Sequence, residues 1–300
     1  MNVLNIGSVN IDYVYQMDHF ILPGETNSCQ SLSIGCGGKG LNQSVALAKA
    51  GLTTYHAGIY GSEAGFLVEK LKQAGVDTSL MELGEGSNGH AIIQVDSTGQ
   101  NCIILYGGTN QQFTERYISS VLSRFRPGDI LVLQNEINNL PYIMRQAHAA
   151  GLRIAFNAAP YGDEIRDYPL ECLEWLIINE VEGAGLSGET DNEAIARTLL
   201  RTYPGLKIML TMGKAGCIYA SGQQFVHCPA FSVTAVDTTA AGDTFIGYFL
   251  RGEAEKLPIA QTLRMASAAS AIAVTRHGAA DSVPTYAEVA ACPFLTESPV

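Results

Sequence analysis

The 300-residue chain has no Cys-x-x-Cys pair and no His-x3-His spacing, so its seven cysteines and six histidines indicate neither a zinc site nor a disulfide framework. The cysteines (29, 36, 102, 172, 217, 228 and 292) are odd in number and scattered; thiols that stay reduced point to the cytoplasm. No apolar run reaches the ~18 residues of a membrane span. The opening Met-Asn-Val-Leu-Asn-Ile-Gly lacks the basic region and long apolar core of a signal peptide and reads as a strand. Positive charge is scarce: 18 Lys and Arg face 29 Asp and Glu, a net charge of -11, and no basic cluster occurs. Nucleic acid is therefore not an expected partner, and an anionic ligand would need local neutralisation by a divalent metal, helix ends and a few cations. There is no Gly-x4-Gly-Lys-Ser/Thr loop, no His-Arg-Asp or Asp-Phe-Gly set, no low-complexity linker and no repeat of fixed period.

What is present is a core-forming composition, 47% hydrophobic and 16% charged, in which short Val- and Ile-rich runs alternate with helical patterns. Strands are expected at 3–6, 54–59, 130–133, 153–156, 175–178 and 207–211, and helices at 42–50, 63–74, 114–124, 140–150 and 193–201. Several of these helices run into a glycine, at 51, 75 and 151, as a left-handed helix stop requires. The alternation predicts an α/β fold, a doubly wound and mostly parallel sheet with helices on both faces. Two stretches break the rhythm. Segments 11–34, around Pro23-Gly24, and 90–106, around Ser97-Thr98-Gly99-Gln100, read as antiparallel hairpins, forming a small β-sheet lid on a single domain spanning 1–300. Its exposed edges would invite dimer contact. A late Ala-rich helix is expected at 257–275.

The chemistry concentrates at 237–245, Asp-Thr-Thr-Ala-Ala-Gly-Asp-Thr-Phe. Ala240, Ala241 and Gly242 are small enough for their amides to close around an anion, and an apolar helix pattern follows from 244 to 250. A helix start carries unpaired N–H donors and about half a positive charge, which favours phosphate. The carboxylate of Asp243 beside it can take a proton from an attacking hydroxyl; a plain Asp helix cap fits the same residues. Upstream, Gly35-Cys36-Gly37-Gly38-Lys39-Gly40 matches Gly-x-Gly-x-x-Gly but lies far from the first strand and lacks the later acidic residue, which counts against a dinucleotide site and a dehydrogenase. Gly38, Lys39, Gly40 and Asn42 instead suit close approach to a small ligand, or a capped helix start. Asn10 and Asp12 follow the first strand and share a side, where they suit sugar hydroxyls or a turn. Glu136 follows another strand in the same manner. Asn179 and Glu182 can hold the waters of a Mg²⁺ ion or form a capping pair. Thr211, Gly213 and Gly216 allow a close approach to phosphates or a plain hairpin turn.

Taken together these segments resemble the ribokinase-like carbohydrate kinases, the phosphofructokinase-B family, over about residues 5–284. Gly37-Gly38-Lys39-Gly40-Leu41-Asn42-Gln43-Ser44 is similar to that family's N-terminal signature, and 237–245 to its C-terminal one. The runs 7–12 and 271–279 are most similar to its ribokinase branch. The resemblance implies that Asp243 is the catalytic base and that the amides of Ala240, Ala241, Gly242 and Asp243 form an anion hole. It implies that Asn10, Asp12, Gly38, Lys39, Gly40, Asn42 and Glu136 hold the sugar. Asn179, Thr211, Gly213, Gly216, Gly242 and Ser267 would contact ATP, and Glu182, with Asn179, would place Mg²⁺ through water. A potassium ion would fall on Asp237, Thr239, Ala273, Arg276, Gly278 and Ser282, several through carbonyls. Ser267 departs from the His or Asn common there, which bears on adenine grip. The expectation is ATP-dependent phosphorylation of a primary hydroxyl on a small neutral sugar. Asp12 and Glu136 would repel a sugar already bearing phosphate, so ribose ranks ahead of fructose, another sugar or a nucleoside. A non-catalytic sugar-binding protein on the same fold could have lost Asp243, and this chain keeps it.

Overall fold

All four residues of strand β1 (Val3–Ile6) are buried, and successive side chains enter different cores. Leu4 and Ile6 face one cluster; Val3 faces the other. The same alternation recurs in the computed structural model, which describes residues 1–222 and 224–296, along β9 (Ile130–Gln134), β10 (Arg153–Asn157) and β11 (Trp175–Asn179). Leu131, Leu133, Ile154, Phe156, Leu176 and Ile178 pack on the side of α3 (Glu115–Leu122), α4 (Leu140–Ala149) and α6 (Asn192–Thr202). Ile130, Val132, Ala155, Trp175 and Ile177 pack on the side of α7 (Ala241–Glu255) and α8 (Ile259–Ala273). Strands buried on both faces need apolar residues at every position, which is why these runs read as continuous rather than alternating. Each fully buried Leu or Ile contributes roughly 1.5–3 kcal/mol of transfer free energy.

The main sheet has eight strands in the order β14-β13-β12-β11-β10-β9-β1-β4, where β4 is Thr54–Ala57, β12 Lys207–Thr211, β13 Cys217–Ser221 and β14 Gln224–Cys228. From β4 to β12 every pairing is parallel; β13 and β14 close one edge antiparallel. Helix α1 (Lys39–Lys49) packs against α7 and α2 (Gly65–Gln73). The remaining elements are β5 (Ile59–Tyr60), β6 (Glu82–Leu83), α5 (Glu180–Ser187), α9 (Tyr286–Ala290) and α10 (Pro293–Thr296).

A second sheet has the order β3-β2-β7-β8, with β2 Asn10–Gln16, β3 Ser31–Gly37, β7 His90–Val95 and β8 Asn101–Tyr106. The two expected hairpins both form, and β2 and β7 join them in parallel. The first hairpin is longer than its sequence pattern, with β3 running on to Gly37. Leu32, Ile34, Ile103, Ile104, Leu105 and Tyr106, on the two outer strands of this sheet, β3 and β8, are all exposed.

The sequence placed β1 and β12 at their observed limits. Helix α7 starts at Ala241 and not at 244, because Ala240 takes a left-handed turn that opens the helix earlier. Helix α1 likewise starts at Lys39, behind Gly38 with φ 92°, and not at 42. Asn10 and Asp12 follow β1 in extended backbone, as expected, and not in a turn: the chain crosses within three residues and they sit inside β2. The expected run 54–59 divides into β4 and β5. Glycines 51, 75 and 151 do adopt left-handed backbone.

Candidate active site

Helix α7 begins where three parts of the sequence meet. Ala240, with φ 59° and ψ 13°, turns the chain so that Ala241, Gly242 and Asp243 form the first helical turn. The Ala241 amide bends back to the Thr238 carbonyl at 3.3 Å, and the Thr244 amide to the Ala240 carbonyl at 2.8 Å. Those of Gly242 and Asp243 have no protein acceptor among the described residues. Of the four expected donors, Ala241 is already engaged, and the amides of Ala240, Gly242 and Asp243, with no acceptor among the described residues, are free to meet an anion.

Asp243 is buried, 7% exposed. Its Oδ1 accepts from Gln43 Nε2 at 2.9 Å and its Oδ2 from Asn42 Nδ2 at 3.3 Å. Three more carboxylates surround this place. Glu136 Oε2 accepts from the Lys39 amide at 2.8 Å and from the Ser8 hydroxyl. These two bonds leave Oε1 available and tie the start of α1 to the loop after β9. Burial raises the Glu136 carboxyl, and Lys39 partly offsets that. Asp12 is pushed up to about 7 by burial and by the negative charge of Glu136. Its carboxylate lies against Gly37, where any Cβ would collide with it. Burial alone would lower the Lys39 ammonium, but Asp243, Glu136 and Glu182 together outweigh it and hold the proton on. Asn10 is engaged from the side: its Oδ1 accepts from Asn110 Nδ2 at 2.7 Å. Asn42 was expected to turn to a ligand, yet its amide nitrogen serves Asp243; its Oδ1 is buried with no partner among the described residues.

Beside this cluster lies a cavity of about 510 Å³, within the range of small-molecule sites. Thr211, Gly213, Gly216, Phe231, Gly242 and Ser267 are among its walls. Gly242 lines the cavity and Asp243 belongs to the carboxylate cluster, so one helical turn joins the two. Gly213 and Gly216 flank a turn from β12 into β13, as the hairpin reading has it, and both also line the cavity. Ser267 is buried, and its hydroxyl sits 3.8 Å from the Cys228 thiol.

Asn179 is not among the residues that line the cavity. With Glu182 it forms a capping box at the start of α5: Asn179 Oδ1 accepts from the Glu182 amide at 2.9 Å, and Glu182 accepts the Asn179 amide at 2.8 Å. With these oxygens already accepting, contact with a metal through water leaves the capping box undisturbed. Burial raises the Glu182 carboxyl, as expected of a group that a nearby cation would relieve. Among the described residues no three His, Cys, Asp or Glu side chains cluster closely enough to hold a metal alone.

At the other end of the site, Asp237 Oδ1 accepts from the Thr239 amide at 2.9 Å and Oδ2 from the Gly278 amide at 2.9 Å. This draws 237–239 onto the turn after α8. The Ala273 carbonyl accepts from the Arg276 amide at 3.0 Å, and Ser282 donates to the Ala279 carbonyl at 2.8 Å. The segments expected to share a monovalent cation are therefore adjacent, with backbone carbonyls that keep a second lone pair free.

Sequence reasoning missed Ser8, Gln43 and Gln134. Gln43 stands inside the quoted signature, beside Asn42, and two polar residues in succession at the start of an apolar helix were the available signal. Gln134 is polar at the end of a wholly apolar strand, a signal of the same kind.

Comparison with known proteins agrees with this geometry. Residues 1–286 match the model of the pfkB family carbohydrate kinases. Ribokinase from Staphylococcus aureus (strain COL) is 33% identical, over 96% of this chain and 98% of that protein. Deoxyribokinase from Salmonella typhi is 30% identical, over 95% and 96%. The structure of Arabidopsis thaliana ribokinase complexed with ribose and ATP superposes with a TM-score of 0.85 at 26% identity, covering 99% of both chains. Two signatures, a doubly wound sheet with a small second sheet, and a family match along nearly the whole length converge on one conclusion: the chain belongs to the pfkB family of carbohydrate kinases.

Proposed function

We propose that this kinase transfers the γ-phosphate of ATP to the primary hydroxyl of ribose, giving ribose 5-phosphate. The observation that carries the reading is the first turn of α7, where Gly242 lines a nucleotide-sized cavity and the next residue is a buried carboxylate. Asp243 accepts the proton of the attacking hydroxyl. The amides of Gly242 and Asp243 bear the charge that develops on the transferring group. Asp12, Glu136, Asn10 and the loop of Gly38, Lys39 and Gly40 hold the sugar. Asn42 orients Asp243 and offers its unpartnered Oδ1 to the acceptor. Thr211, Gly213, Gly216 and Ser267 surround the nucleotide. Lys39, facing three carboxylates, stabilises the ionised cluster into which the hydroxyl is drawn.

Magnesium fits this donor set through water, held by Glu182 and Asn179; when bound it neutralises polyphosphate charge that four carboxylates would otherwise repel. Potassium fits beside Asp237 and Thr239, with the carbonyls of Ala273, Arg276 and Gly278 and with Ser282. It would steady the loop that precedes the anion-binding turn. The four-stranded sheet acts as a lid over the sugar and excludes water. Its outer strands expose Leu32, Ile34 and Ile103 to Tyr106, an apolar surface suited to a homodimer. No helix among the described residues is long and apolar enough to cross a membrane; we place the enzyme in the cytoplasm from its scattered free cysteines.

The Salmonella relative named deoxyribokinase makes 2-deoxyribose the second reading. ADP release with ATP, Mg²⁺ and K⁺ across ribose, 2-deoxyribose, fructose, a nucleoside and ribose 5-phosphate separates them. The expected result is the highest kcat/KM for ribose and none for the phosphorylated sugar. Preference for a nucleoside would overturn the proposal.

A further inference from the structure

Five fully buried polar residues run from the main sheet to Asp243. Gln134, at the end of β9, donates from Nε2 to Gln43 Oε1 at 2.7 Å and to Asn5 Oδ1 at 3.0 Å. Asn5, in β1, donates to the Gly40 carbonyl at 2.8 Å and to Ser44 Oγ at 2.9 Å. Ser44 meets His56 Nδ1 at 2.8 Å. Gln43 then donates to Asp243 Oδ1 at 2.9 Å. Asn5, Gln43, Ser44, His56 and Gln134 have no exposed surface.

The direction of this chain follows from donor and acceptor chemistry. Burial lowers His56 to about 3, so its ring is neutral and no buried cation competes for Asp243 from below. Gln134 presents its NH₂ group to Gln43, which obliges Gln43 to present its oxygen there. The opposite end of the Gln43 amide, its NH₂, then faces Asp243. A flipped Gln43 would set oxygen against carboxylate and NH₂ against NH₂. Buried polar residues weaken a core unless fully paired, and here Gln134 Oε1 lacks a partner among the described residues. An apolar pair at 43 and 134 would take these donors from Asp243 Oδ1 and Asn5 Oδ1, so the polar pair serves the carboxylate as well as the core.

We propose that Gln43, oriented by Gln134, is a positioning residue for the catalytic base: its amide donor fixes the Asp243 carboxylate in the orientation that meets the attacking hydroxyl. This rests on Asp243 being that base. The charged groups facing Asp243 are Lys39, across the start of α1, and Glu136, from the loop after β9. The Gln43 donor adds to Lys39 and opposes Glu136.

The test uses Gln43→Met and Gln134→Met in the full chain, each matched in size and deprived of hydrogen bonds, with Asp243→Asn as the reference. Gln43→Met should lower kcat about ten- to a hundredfold, the scale of one bond to a charged group, leave both KM values within about twofold, and move the acid limb of the kcat–pH profile upward. Gln134→Met should do the same more weakly, and the double variant should be no worse than Gln43→Met. Should Gln43→Met fail to fold, the Gln134→Met profile carries the test. If the Gln variants keep native kcat and an unmoved acid limb while Asp243→Asn is inactive, the positioning role is wrong and the base stands. If Asp243→Asn is active, the base assignment itself fails.

Discussion

Asp12, proposed to hold the sugar, is the residue whose chemistry is most sharply set by its surroundings. Its carboxyl, ordinarily near 3.8, is pushed up to about 7 by burial and the Glu136 charge. Two consequences differ in sign. A charged acceptor holds hydroxyls more strongly than a neutral one, so sugar affinity should rise as pH increases through about 7. KM for ribose measured from pH 6 to 8 should fall, and Asp12→Asn should flatten that trend without altering KM for ATP; a slope retained in the variant would rule out Asp12 as its source. Stability runs the other way. Between 3.8 and about 7 the folded state binds more protons than the unfolded one, so stability drops across that window and stays lower above it. Asp12→Asn should therefore gain more in Tm at pH 8 than at pH 4. None of this was legible in the sequence beyond the pairing of Asp12 with Glu136, because the raised value depends on the burial of both groups.

Among the elements, the starts of α7 and α5 test how far a helix terminus serves chemistry rather than fold. Ala240 holds a left-handed backbone without being glycine, which costs about 1 kcal/mol. Ala240→Gly should raise Tm by a few degrees, consistent with about that much free energy; no gain would mean the turn is unstrained. At α5, Glu182→Gln keeps the acceptor for the Asn179 amide, loses the one for Asn179 Nδ2 and removes the charge. If Glu182 places Mg²⁺ through water, the Mg²⁺ concentration for half-maximal activity should rise several-fold, while Tm falls by no more than a few degrees. An unchanged Mg²⁺ requirement would leave Glu182 as a cap alone. The limits of β1 and β12 are legible, because their apolar runs stop at Gly7 and at Thr211. It placed α1 and α7 three residues late, since Gly38 and Ala240 open these helices by backbone turns that no hydrophobic period marks. It did not name β13 and β14, whose short mixed-polarity runs carry little signal at a sheet edge. The Gln43–Gln134 contact, across 91 positions, is tertiary and leaves only two unexpected polar residues as its trace.

Across the whole molecule, the two larger sheets divide the proposed work: the cavity and the first turn of α7 lie against the eight-stranded one, and Asn10 and Asp12 stand on the four-stranded one. If the exposed apolar strands β3 and β8 seat a second copy, the native protein should sediment as a dimer and Ile34→Glu as a monomer of lower Tm; a native monomer would remove the homodimer. What unites both sheets is the claim that phosphoryl transfer occurs at the first turn of α7. It is tested most directly by ribose-dependent ADP release at saturating ATP, comparing the native chain with Asp243→Asn. Turnover should require ribose in the native chain and fall by at least ~10²-fold in the variant, with ATP binding retained; equal turnover in the two proteins would place the chemistry elsewhere.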